Sequence, residues 1–69
     1  MTTLLAGDIG GTKTLLALYR LEGGQLIQGR SERFVSADWD DFAALVNHFL
    51  AAGPAGEPRP SHACLAVAG

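Results

Sequence analysis

The sequence predicts an α/β fold: a mixed sheet of about four strands in the order 3-2-1-4, with one crossover helix on one face. Three features carry this expectation. Two apolar runs, residues 3–8 and 12–21, are divided by the Gly10-Gly11 pair and read as a β-hairpin. Phe42, Leu45, Val46, Phe49 and Leu50 fall at i, i+3, i+4, i+7 and i+8, one apolar face of a helix. A further apolar run, residues 62–68, follows a proline-rich loop. Strand, helix, strand implies a right-handed crossover onto a parallel neighbour.

Each element has its own local signals. Residues 3–8 (Thr-Leu-Leu-Ala-Gly-Asp) lack alternation, which suggests a central strand buried on both faces. Residues 12–21 resume after the glycine pair, and Gly23-Gly24 marks a second turn. Residues 25–35 are polar and contain Gly29, as suits a strand at a sheet edge. Asp38 is the expected helix N-cap, with Asp40 and Asp41 in the first turn, where the helix dipole favours negative charge. Gly53 and Pro54 end the helix. Residues 53–61 hold all three prolines and read as a loop, and residues 62–68 read as a buried strand.

Composition narrows the function classes. Apolar residues make up 48% and charged residues 17% of the 69, which is the profile of a folded chain. A domain of this size buries only about 60% of its unfolded surface. The formal charge is −2, and the five Lys+Arg are scattered, so no basic patch points to nucleic acid or an anionic membrane. Apolar runs such as Leu15 to Tyr19 fall short of the ~20 residues of a membrane helix and of the ~7–15 of a signal core. The lone Cys64 permits no internal disulfide, and no Cys/His cluster has zinc spacing. These features lead us to expect a soluble, untargeted, cytoplasmic protein.

The chemistry resides in Gly7-Asp8-Ile9-Gly10-Gly11-Thr12-Lys13-Thr14. Adjacent glycines in a tight turn let the backbone approach a ligand closely. Successive amides in such a turn form an anion-binding concavity. Thr12 and Thr14 add hydroxyl donors. Asp8, at the end of the first strand, is unsuited to holding a phosphate and suited to holding Mg²⁺ through water, because Mg²⁺ keeps several of its waters. The segment therefore asks for a metal-bound polyphosphate. It is not a Walker loop: Thr12 stands where that pattern needs its second glycine, and a strand rather than a helix follows. The G-x-G-x-x-G pattern is absent from this turn.

Asp-Ile-Gly-Gly-Thr-Lys-Thr between two amino-terminal strands resembles the first phosphate motif of the actin-like ATPase and sugar kinase superfamily. Two bacterial subfamilies share the Gly-Gly-Thr-Lys version: the glucokinases, and the repressor/open-reading-frame/kinase family, which acts on hexoses or amino sugars. The stretch Phe34-Val-Ser-x-Asp-Trp-x-Asp-Phe42-x-x-Leu-Val, with Ala63-Cys-Leu-Ala-Val-Ala-Gly69 later, is similar to glucokinases of cyanobacterial type. The resemblance covers all 69 residues but only the amino-terminal part of a family member. It implies an incomplete ribonuclease-H-like lobe, residues 1–69 being part of the small lobe of a sugar kinase. It further implies ATP- and Mg²⁺-dependent phosphorylation of glucose at its 6-hydroxyl, and it allows a homodimer of the whole protein. Carried over by position, Gly7, Asp8, Ile9, Gly10, Gly11 and Thr12 contact ATP phosphates, Asp8 faces the metal, and Lys13 and Thr14 are further candidate phosphate contacts. The family's glucose-binding residues and catalytic base lie in later segments.

The remaining residues receive plainer readings. Lys13 is equally an exposed strand lysine. Cys64 is expected to be an inert core residue. His48 and His62 lack partner acids at useful spacing, and Trp39 is a packing anchor at the helix start. A single helix covers one face of the expected sheet and nothing covers the other, so we expect a fragment of a larger domain. The alternative from a different class is a stand-alone nucleotide- or anion-binding module.

Overall fold

Gly23 and Gly24 both sit at positive φ, 56° and 81°, the pair of conformations that a type I′ turn requires. They join strand β2 (Lys13–Glu22) to β3 (Gln25–Val35) in the computed structural model, which describes residues 2–67. Strand β1 (Thr2–Ile9) pairs antiparallel with the other side of β2, and β4 (His62–Val67) pairs parallel with β1. The sheet order is β3-β2-β1-β4, as the sequence predicts. Helix α1 (Phe42–Ala51) lies between β3 and β4 in the chain and covers one face. Ala68, the last residue assigned to the fourth strand from sequence, lies outside the described residues.

A β-bulge divides the β2–β3 hairpin. Between the turn and the bulge Tyr19 stands opposite Gln28. Past the bulge each β2 residue meets a β3 residue one place further on, so Ala17 meets Ser31 and Thr14 meets Phe34. Gly29 and Arg30 together oppose Leu18, the two-against-one arrangement of a bulge. With uninterrupted pairing Phe34 would stand opposite Lys13 and point away from α1. The bulge instead puts Phe34 on the same face as Thr14, Leu16 and Leu18.

That face is the core. Leu5, Leu16, Leu18, Phe34, Leu45 and Phe49 are buried together, with Trp39, Phe42, Val46 and Leu50 packed around them. Every position of the predicted helix stripe takes part. Phe34 meets Phe49 and Trp39 edge-on, at centroid distances of 6.3 and 6.1 Å, a favoured aromatic geometry. His48 closes the group against Trp39 and Phe34.

The structure corrects three expectations. The N-cap of α1 is Asp41, whose carboxylate accepts from the Ala43 amide at 2.9 Å, and not Asp38. Ser36–Asp38 forms a single 3-10 turn, and Trp39 is extended, so the α-helix starts only after Asp41. The first turn of α1 consequently contains no acid. Strand β4 is not buried: all its residues are exposed, because it stands at a sheet edge while α1 packs over β1, β2 and β3. Cys64 is thus exposed rather than a core residue. Finally, β1 is central but alternates. Thr3, Leu5 and Gly7 are buried beneath α1, whereas Thr2, Leu4 and Ala6 are half-buried on the open face.

One ion pair ties the bulge to the helix end. Arg30 Nε and Nη2 donate to the two carboxylate oxygens of Glu57 at 3.0 and 2.8 Å, and Nη2 also donates to the Phe49 carbonyl at 2.7 Å. The guanidinium lies 4.0 Å from the Phe49 ring centroid. Hydrogen bonding from Arg30 holds the Glu57 carboxyl below its ordinary value of 4.5. A carboxyl depressed in the folded state stabilises the fold above its unfolded pKa, and that stability is lost as pH falls through the folded value. Glu57→Gln is therefore expected to lower the denaturation midpoint at neutral pH. The gap to the unmodified protein should close as pH drops below 4.5. A gap that persists unchanged into acid would show that the ion pair contributes nothing.

Candidate functional site

The predicted phosphate segment forms the bend at one end of the β1–β2 hairpin. Gly10 N donates to Lys13 O at 2.9 Å, which closes the bend over Gly11 and Thr12. Neither Gly10 nor Gly11 has positive φ. The glycines are thus explained by space rather than by conformation. A Cβ on Gly10 would meet Lys13 O at 3.0 Å, tighter than ordinary contact. A Cβ on Gly11 would meet nothing within 4 Å. Among the described residues nothing in the fold demands glycine at position 11.

The amides of the bend are available too. No backbone carbonyl among the described residues accepts from Gly11 or Thr12. The carbonyls on either side are held instead. Ser36 Oγ donates to Gly10 O at 2.8 Å, and Ser36 N donates to Thr12 O at 3.0 Å. Ser36 has one hydroxyl proton, already given to Gly10 O. The 2.9 Å bond between Thr14 Oγ1 and Ser36 Oγ therefore has Thr14 as donor.

The sequence-predicted residues separate by face. Asp8 is exposed near the end of β1, flanked by Leu15 of β2 and Ala66 of β4, on the face away from α1. It lines a shallow cleft of about 160 Å³ with Ala6, Gly7, Leu15, Ala17 and Tyr19. Lys13 and Thr12 are exposed, and strand alternation puts the Lys13 side chain on the same face as Asp8. Thr14 alternates to the opposite face, is 2% exposed, and spends its hydroxyl on Ser36. Gly7 is buried in β1, where an added Cβ would come within 2.8 Å of Leu65 Cδ2 and 3.2 Å of Leu16 Cδ2. Ile9 is half-buried between Thr14 and Val67. The structure thus puts Asp8 and Lys13 on one face of the hairpin whose bend holds Gly10, Gly11 and Thr12, and turns Thr14 to the other face.

Ser36 was not singled out in the sequence as a site residue. It lies 22 positions from Thr14, and only the bulged pairing of β2 with β3 sets it beside the bend. The carboxylate fits a magnesium ion held mainly by water and phosphate oxygens, since Asp8 is exposed on the strand that leads into the bend. Among the described residues no group of three His, Cys, Asp or Glu side chains forms a denser metal site. No helix among them is long and apolar enough to cross a membrane.

The hairpin, the crossover helix and the parallel fourth strand place this chain in the actin-like ATPase class of fold. The Aquifex aeolicus member of the Ppx/GppA protein family shares the arrangement at a TM-score of 0.59. At 10% identity, over 96% of this chain and 26% of that one, the likeness is one of fold alone. The glucokinase family profile matches residues 5–69, and the chain belongs to the glucokinase family. A glucokinase of Nostoc punctiforme is 46% identical over 100% of this chain, and one of Erwinia tasmaniensis is 34% identical over 93%. The crystal structure of a glucokinase from an Antarctic psychrotroph superposes at a TM-score of 0.83 with 30% identity, covering all of this chain and 22% of that one. The chain spans about one fifth of the length of these curated relatives.

Proposed function

We propose that this chain is the amino-terminal segment of a glucokinase and contributes the ATP-phosphate-binding bend to the transfer of a phosphoryl group from ATP to glucose. The observation that carries the proposal is the bend itself: two amides with no backbone acceptor and a glycine with open space around it among the described residues, and a carboxylate on the adjacent strand end. Gly11 and Thr12 receive phosphate oxygens through their amides, Gly10 closes the bend onto Lys13 O, and Gly7 and Ile9 set the strand that leads into the bend. Preorganised backbone donors cost no reorganisation as charge shifts during transfer. Asp8 orients the waters of Mg²⁺, which when bound offsets the phosphate charge. Lys13, exposed on the same face as Asp8, adds a positive charge within reach of the phosphates. Thr14 acts inside the fold and not on the ligand. The glucose-binding groups and the catalytic base belong to parts of the enzyme outside these residues, and its partners are small molecules in the cytoplasm.

The test is ATP-dependent phosphorylation of glucose by the polypeptide that carries this chain at its amino terminus. Turnover on glucose supports the proposal. Turnover confined to another hexose or an amino sugar replaces its substrate, and no turnover on any sugar ends it. The 69-residue chain alone is expected to show no glucose phosphorylation above a Gly10→Val control in a coupled assay. Activity above that control would mean that the site is complete within the chain.

A further inference from the structure

We infer that Ser36 is a positioning residue for nucleotide binding: it holds the Gly10 and Thr12 carbonyls of the phosphate bend so that the bend's amides face the ligand. The inference rests on the phosphate-binding reading of residues 7–13 and adds to it a residue beyond the motif. A bend between two strands carries carbonyls as well as amides, and a carbonyl turned toward a phosphate repels it. Here two carbonyls of the bend, those of Gly10 and Thr12, are both secured by one residue. The Ser36 hydroxyl takes Gly10 O at 2.8 Å, and the Ser36 amide takes Thr12 O at 3.0 Å. The Gly11 and Thr12 amides, which have no backbone acceptor among the described residues, stand between these two anchor points.

The hydroxyl is itself oriented. Thr14, 2% exposed, donates to Ser36 Oγ at 2.9 Å, which leaves the Ser36 proton only for Gly10 O. The order of donation, Thr14 to Ser36 to Gly10, fixes one hydrogen-bond arrangement out of several that two hydroxyls permit. Ser36 is in turn placed by the core. It opens the 3-10 turn, whose end is tied by Trp39 N donating to Ser36 O at 3.2 Å, and Trp39 packs on Phe34. The clamp therefore links the bend to the packed side of the sheet without touching the ligand.

The experiment measures calorimetric Kd values for Mg-ADP and for glucose in the full-length kinase carrying Ser36→Ala, Ser36→Thr or Gly11→Val. Ser36→Ala is expected to weaken Mg-ADP about tenfold and to leave glucose binding unchanged. Ser36→Thr, which keeps the hydroxyl, restores Mg-ADP affinity. Equal weakening of both ligands would mean general damage and overturn the positioning role. Unchanged Mg-ADP binding in Ser36→Ala, with loss in Gly11→Val, would overturn the clamp and leave the phosphate reading standing. Unchanged binding in Gly11→Val as well would remove the phosphate reading on which the clamp depends. Should Ser36→Ala not fold, Ser36→Cys keeps the shape with a weaker donor. It must then weaken Mg-ADP selectively, and unchanged affinity overturns the inference.

Discussion

Gly11→Val is expected to weaken nucleotide binding by at least about tenfold while leaving the fold intact. A hydrogen bond to a charged group contributes roughly 1.5–3 kcal/mol, and ~1.4 kcal/mol is a factor of ten in affinity. A branched side chain at position 11 occupies the space through which a phosphate reaches the bend and separates it from the amides of Gly11 and Thr12. The substitution is informative because nothing among the described residues lies within 4 Å of the new Cβ and the φ of Gly11 is not positive. Replacing glycine at a compatible conformation also lowers the entropy of the unfolded chain, which favours folding slightly. Gly10→Val is a poorer probe, since its Cβ would press on Lys13 O at 3.0 Å and disturb the bend directly. The measurement is the Kd for Mg-ADP beside the thermal midpoint. An unchanged Kd with an unchanged midpoint would remove position 11 from the nucleotide site.

Phe49→Ala is expected to cost about 3–5 kcal/mol of stability, the usual range for deleting a fully buried aromatic side chain. Phe49 is 0% exposed and lies at the meeting point of α1 and the sheet. Its ring receives Phe34 edge-on and carries the Arg30 guanidinium on its face. Small domains have total stabilities of only about 5–15 kcal/mol, so this one change removes a large part of the reserve. Leu26→Ala provides the control: Leu26 is 60% exposed near the hairpin turn, and its truncation should fall within about 0.5 kcal/mol. The comparison is made by denaturant unfolding of the protein that contains the chain. A loss below about 1 kcal/mol for Phe49→Ala would mean that α1 is not packed on the sheet as described.

Much of this architecture is local and could be read from the residues. The glycine pair at 23–24 marks a turn because both residues take positive φ, and the pair at 10–11 marks a bend in which a Cβ on Gly10 would crowd Lys13 O. The stripe from Phe42 to Leu50 marks a helix because its spacing has no strand interpretation. Sheet order followed from those elements and the parallel crossover, and partly from the resemblance to the sugar kinase superfamily. The N-cap was misread because Asp38, Asp40 and Asp41 all satisfy the same local pattern, and the choice falls on the extended backbone at Trp39. The apolar run of β4 tells what that strand tends to bury, and in this structure its neighbours leave it exposed. In the site, the bend with Asp8 was legible because its chemistry is contiguous in sequence. Thr14 was grouped with the phosphate donors because sequence order does not tell which face a strand residue takes. Ser36 was missed because its partners lie 22 and 26 positions away.

The bulge at Gly29 and Arg30 makes the long hairpin two separately indexed segments. The tip segment counts from the Gly23-Gly24 turn, and the base segment counts from the Ala17–Ser31 pair. Adding one residue to each strand at the tip would lengthen the hairpin and leave Ser36 beside Gly10. Removing a single residue between Ser31 and Ser36 would slide the base of β3 along β2 by about 3.3 Å, more than the length of the hydrogen bond it carries to the bend. The end of this hairpin proposed to bind nucleotide is therefore intolerant of length change, while its far end is free to vary.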